Sequence, residues 1–136
     1  MADTPHRPRP LSPHVFQYGW SVTMATSITH RFTGCGLAVG AVVLAWWLFA
    51  IANGFIPYNE FVSLAATPLG QVILFGLTWS LAFHLLNGIR HLAWDLGFGF
   101  SIPAARLNSI LVIAGSILLA IGVFVLAYTG HGGYYQ

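Results

Sequence analysis

Charged residues divide the chain into three long apolar runs, 32–59, 61–89 and 107–136, none of which contains an Asp, Glu, Lys or Arg. Segments such as LAVGAVVLAWWLFAIA in the first run do not alternate apolar with polar positions. They therefore read as helix rather than as strands of a membrane barrel. Crossing a bilayer core about 30 Å thick takes roughly 20 helical residues. Each run holds one span and none holds two, which places spans near 34–53, 69–92 and 107–128. Pro57 and Pro68 punctuate the link between the first two spans, and Pro103 the link between the second and third. The pattern predicts an all-α protein. A polar, Pro-rich segment over 1–30 leads into a three-helix transmembrane domain over 31–136, with no internal repeat.

Composition narrows the class. Of 136 residues, 57% are hydrophobic and 6% charged, and the mean hydropathy is +0.75. A soluble domain carries about 25% charged residues. Five Arg, two Asp and one Glu cannot cover a water-facing surface, so a soluble globular domain and a disordered tail are both excluded. A net charge of +2 is too weak a field to attract nucleic acid. The single Cys35 excludes a disulfide framework, a Cys-rich zinc site and a self-contained iron–sulfur cluster, and reads as a small packing residue. Arg7, Arg9, Arg31, Arg90 and Arg106 all fall on one side of the three spans, and Glu60 falls on the other. The positive-inside bias puts the N-terminus and the 92–106 link in the cytoplasm or matrix, with the C-terminus outside. The first thirty residues lack both the apolar run of a signal peptide and an obvious transit-peptide composition. That favours a bacterial plasma membrane, with a periplasmic C-terminus, over the mitochondrial inner membrane.

Ionisable residues inside a membrane helix are expensive, about 2.5–3.5 kcal/mol at its centre, so each is a functional candidate. On the second span His84, Gly88, His91 and Asp95 recur at helical spacing and form one stripe towards its inner end. Gly88 leaves room on that stripe for a flat ligand. The start of the first span carries Ser27, His30, Arg31 and Gly34, which the topology brings to the same inner surface. His84 lies well inside a span and suits an axial haem ligand; an interhelical hydrogen-bonding group is the other reading. Low-spin b-type haems take two His ligands, so a second ligand would come from another chain. Haem propionates would want the cations Arg31, His30 and His91, and a Ser hydroxyl beside an Arg could orient a quinone carbonyl. Arg90 reads as an interface anchor whose side chain snorkels to headgroups. Asp95 reads as a partner for Arg90 or His91, or as a helix cap. His14 has no assignable role and His131 reads as a solvated tail residue. Trp46, Trp47, Phe75 and Trp79 read as packing or lipid-facing groups, and the Gly36–Gly40 pair fits close helix packing.

Two segments carry a family likeness. Arg9-Pro10-Leu11-Ser12-Pro13-His14 with Ser27-Ile28-Thr29-His30-Arg31-Phe32-Thr33-Gly34 resembles the N-terminal signature of the succinate dehydrogenase cytochrome b subunits. His84-Leu85-Leu86-Asn87-Gly88-Ile89-Arg90-His91-Leu92-Ala93-Trp94-Asp95 resembles that family's second signature. The family is the larger membrane anchor of complex II, in the electron-transport chain and tricarboxylic acid cycle. The resemblance implies a helical bundle completed by a second small anchor, with an iron–sulfur subunit and a flavoprotein subunit held on the inner surface. It implies that His84 is one axial ligand of haem b, the other coming from the partner anchor. Ser27 and Arg31 would line the ubiquinone site, and His30, Arg31 and His91 would lie near the propionates. Asp95 would be a weaker candidate for supporting the quinone pocket. The chain alone would not be catalytic; succinate oxidation belongs to the flavoprotein. Alternatives are a fumarate reductase anchor, which has the same site residues, and a haem-free structural anchor. A transporter subunit would need polar residues across the bilayer, whereas the outer halves of the spans are apolar.

Overall fold

The computed structural model describes residues 19–130. Four helices account for nearly all of them: α1 Val22–Ala52, α2 Phe55–Ala65, α3 Pro68–Asp95 and α4 Ile102–Gly130. Among the described residues there is no strand. α1, α3 and α4 are each long and apolar enough to cross a membrane.

Local chemistry sets the helix ends. Ser21 caps α1 by accepting a hydrogen bond from the Met24 amide (3.1 Å), so the helix starts about a dozen residues before the sequence-predicted span. Thr67 caps α3 in the same way through the Gly70 amide (3.1 Å), with Pro68 at the first helical position, where its missing N–H has no intrahelical role. α3 ends in a Schellman turn. The Phe98 amide bonds the Ala93 carbonyl (2.9 Å) and the Gly97 amide bonds the Trp94 carbonyl (2.8 Å). Gly97 takes φ 87°, a left-handed conformation that L side chains adopt poorly. α2 corrects the sequence reading of the outer link, which took Pro57 only as punctuation. Pro57 is the third residue of α2, inside the first turn, where no backbone N–H is required.

The helices pack through small residues, the usual solution where lipid is as apolar as the protein core. A Cβ on Gly36 would stand 3.4 Å from Ser80 Oγ, and one on Gly40 would stand 3.0 Å from Leu77 Cδ2. α1 therefore crosses α3 at close range along the Gly36–Gly40 pair. α4 buries Ser109, Val112, Ser116 and Ala120, one face at helical spacing. Large apolar side chains such as Val42, Leu81, Leu118 and Leu126 point outward. Cys35 is exposed and so does not pack in the core. Trp46 meets Phe61 edge-on at 4.9 Å, joining α2 to α1, and Phe75 meets Phe124 edge-on at 5.2 Å, joining α3 to α4. The connections bring the start of α1, the end of α3 and the start of α4 to one end of the bundle, where the described arginines collect.

Candidate functional site

At that end α1 turns one seam towards α3 and α4. Thr26, His30 and Thr33, separated by four and three residues, share this seam, and Thr26 and Thr33 are 0% and 3% exposed. His84 of α3 packs against it. Its ring stacks on His30 with centroids 3.9 Å apart and planes 15° apart, and its Nδ1 lies 3.4 Å from Thr33 Oγ1. A Cβ on Gly34 would come within 3.2 Å of His84 Cε1, so the absence of a side chain there lets the ring sit against the helix. His91, two turns further along α3, meets the other side of the cluster at 5.4 Å from His30. His30 thus lies between the two α3 imidazoles, and its Nδ1 is buried with no hydrogen-bond partner. His91 also meets Trp94 edge-on at 5.1 Å. Gly88, one turn along from His84, faces open space: a Cβ there meets nothing within 4 Å.

Arg90 departs from the sequence reading. It does not snorkel to the surface; it is buried, 6% exposed, where α1, α3 and α4 meet. Its Nη1 donates to Asn87 Oδ1 (3.1 Å) and to Thr26 Oγ1 (3.4 Å), and its Nη2 donates to the Ala105 carbonyl (3.4 Å). Its guanidinium carbon also stands 4.1 Å from the centroid of the Trp94 ring. Neutral oxygens from three helices hold the cation, and Asp95 is not among its partners. Ser109 extends the network, accepting from Thr26 Oγ1 (3.3 Å) and donating to the Ala105 carbonyl (2.8 Å). Thr26, Asn87 and Ser109 were not singled out in the sequence. Thr26 and Thr33 sit seven residues apart, as do Ser109 and Ser116, and that heptad spacing of small polar residues was the available signal.

Ser27 and Arg31 lie one turn apart on α1, on the flank of the histidine seam, and both are exposed. Asp95 is the last residue of α3 and is exposed. The structure therefore brings His30, His84 and His91 into contact and leaves Ser27, Arg31 and Asp95 at the rim. His14 and His131 lie outside the described residues, as do Arg7 and Arg9. A groove of about 460 Å³ between α3 and α4 lies at the opposite end, lined by Gln71, Leu74, Phe124 and Tyr128. Its polar groups serve each other: Tyr128 donates to Gln71 Oε1 (2.6 Å), and Gln71 Nε2 donates to the Ala65 carbonyl (2.8 Å).

Comparison with known families decides the class. The sequence model of the succinate dehydrogenase/fumarate reductase transmembrane subunit matches residues 5–123. The chain belongs to this family. It is 38% identical to the succinate dehydrogenase cytochrome b556 subunit of Paracoccus denitrificans over 94% of this chain and 98% of that one. It is 38% identical to the corresponding subunit of Rickettsia prowazekii, over 86% of this chain and 91% of that one. It is 40% identical to the mitochondrial succinate dehydrogenase cytochrome b560 subunit of Bos taurus, over 85% of this chain and 69% of that one. Both family signatures fall inside the matched range, and the histidine cluster joins one to the other: His30, Thr33 and Gly34 belong to the first, His84 and His91 to the second. For this transmembrane subunit, the likeness read in the sequence and the contact seen in the fold meet at one place.

Proposed function

We propose that this chain is the cytochrome b anchor of a succinate:quinone oxidoreductase and that its histidine cluster forms one half of a haem b site. The observation that carries the reading is the packing of His84 against α1 at Gly34, with His30 stacked on it and His91 beyond. The residues fit a b-type haem. His84 offers an imidazole, Gly88 leaves open space beside it, and His30 Nδ1 is a buried polar atom without a partner. When bound, haem b supplies one-electron transfer at a potential set by its ligands and surroundings. His84 would hold the haem iron from this chain, a partner anchor would supply the second ligand, and His30, His91 and Arg31 would lie towards the propionates. Arg90 adds a buried positive charge at the same depth, which favours anionic groups nearby.

Ser27 and Arg31 form the chain's share of the ubiquinone site. Their exposure at the rim of the bundle supports a role towards a ligand or a second subunit rather than in this chain's own core. The Ser27 hydroxyl and the Arg31 guanidinium donate to a quinone carbonyl and stabilise the negative charge that develops as it is reduced. Asp95 supports the pocket from the end of α3. An iron–sulfur subunit and a flavoprotein subunit, where succinate is oxidised, dock on the surface that carries the arginines. That surface faces the cytoplasm of a bacterium, and the C-terminus faces the periplasm.

The test is the full complex purified in mild detergent. Arg31→Ala or Ser27→Ala is expected to lower succinate-to-ubiquinone turnover by at least tenfold while succinate oxidation with an artificial dye continues. Loss of both activities together, or of neither, contradicts the assignment of these residues to the quinone site.

A further inference from the structure

We infer that Thr33 is a positioning residue that fixes the tautomer of His84, keeping Nδ1 protonated and leaving the Nε2 lone pair free for iron. The inference rests on the reading of His84 as a haem ligand. Thr33 is buried, and its single hydroxyl proton has two neighbours to choose from. The His30 carbonyl lies 3.0 Å from Oγ1 and can only accept. His84 Nδ1 lies 3.4 Å away and can donate or accept, depending on its tautomer. The shorter bond, one turn back along the same helix, takes the hydroxyl proton. Thr33 Oγ1 then faces Nδ1 with a lone pair, and the contact is attractive only if Nδ1 carries the imidazole proton. A neutral imidazole has one N–H, so Nε2 keeps its lone pair. The opposite tautomer would exchange the 3.0 Å bond for one of 3.4 Å.

The surroundings hold this arrangement in place. Thr33 is β-branched and stiff at χ1, and its hydroxyl is tied to the backbone. The His84 ring is confined by Gly34 on one side and by the stacked His30 ring on another. Hydrogen bonds from the non-ligating nitrogen orient a ligand imidazole and raise its basicity, and losing such a partner typically weakens metal binding by 10–100-fold. A neutral hydroxyl acceptor belongs at the low end of that range. A more basic ligand favours ferric over ferrous iron, so Thr33 lowers the potential of the haem.

Thr33→Val keeps the branched shape and removes only the acceptor, whereas Thr33→Ser keeps the acceptor. In the purified complex, Thr33→Val is expected to weaken ferric haem binding relative to ferrous by about tenfold. That ratio equals a rise of about 59 mV in midpoint potential for one electron, read by potentiometric titration of the reduced b band. The ferric electron paramagnetic resonance signal is expected to shift with it, and Thr33→Ser to stay near the parent on both readouts. Thr33→Ala removes the same hydroxyl with less bulk and gives the same readout where Thr33→Val fails to assemble. An unchanged potential and unchanged ferric signal without the hydroxyl overturn the inference, as does a Thr33→Ser shift as large as that of Thr33→Val. His84→Leu separates this from the underlying reading. A b band that survives His84→Leu removes the ligand assignment and the inference with it. A band lost in His84→Leu beside an unchanged Thr33→Val removes the role of Thr33 alone.

Discussion

Gly34 is the position at which the proposed haem ligand is most sensitive to a small change. Replacing it with Ala has two opposed effects. Ala favours helix over Gly by about 1 kcal/mol in an interior position such as this one. Against that, the new Cβ would stand 3.2 Å from His84 Cε1, tighter than ordinary van der Waals contact, and 3.7 Å from Nδ1, an ordinary contact. Forcing an extra carbon into a packed site costs about 1–3 kcal/mol. The ring cannot retreat freely, because His30 is stacked on it at 3.9 Å. The two terms leave Gly34→Ala between neutral and about 2 kcal/mol unfavourable, with the strain concentrated on one imidazole rather than spread through the fold. The expected outcome is a complex of nearly parental thermal stability with a reduced haem content. Gly34→Leu, whose branched side chain has no room between α1 and α3, is expected to lose the haem almost completely. The assay is the reduced b band per unit of purified complex, measured beside the denaturation midpoint. A Gly34→Leu complex that keeps its full haem content would show that His84 does not hold the cofactor in the position that faces Gly34, and would refute the reasoning.

Arg90 and Thr26 supply a second test: in a double-mutant cycle of Arg90→Met and Thr26→Val, reversible denaturation in mixed micelles should give a coupling of about 0.6–1.7 kcal/mol, the range for polar contacts between membrane helices. Arg90→Met alone is expected to be mild, because losing its hydrogen bonds is offset by no longer burying a charge, about 2.5–3.5 kcal/mol on the insertion scale; strictly additive effects would show that the contact carries nothing. Gly97→Ala places an L side chain at φ 87° and is expected to destabilise the turn after α3 by about 1–2 kcal/mol, measured as a lower denaturation midpoint with an unchanged b-band wavelength.

The three spans were legible because charge is so scarce that each gap between charges marks one crossing. The same scarcity hid α2. Its Phe55, Ile56, Tyr58 and Phe61 lie in a run broken by Pro57 and Glu60, which read as a link, although a proline in the first turn of a helix is harmless. The histidine cluster was legible from spacing along α3 and from the topology, which returns the start of α1 to the end of α3. The surroundings of Arg90 were not. An arginine near the end of a span reads as an anchor that snorkels to headgroups, with Asp95 as the one carboxylate nearby to pair with it. Here the acceptors are an amide oxygen, a hydroxyl and a backbone carbonyl from three helices, and no single segment carries that combination. Thr33 was passed over for a related reason. Inside an apolar run a threonine looks like packing, and its chemistry appears only once His84 stands opposite.

The most direct measurement is the reduced-minus-oxidised absorption spectrum of the purified complex, taken with the parent chain and with His84→Leu at matched protein. The expected result is a b-type band in the parent that disappears in His84→Leu while the flavoprotein and iron–sulfur subunits still copurify. A band of unchanged height and position in the variant would contradict haem ligation by His84.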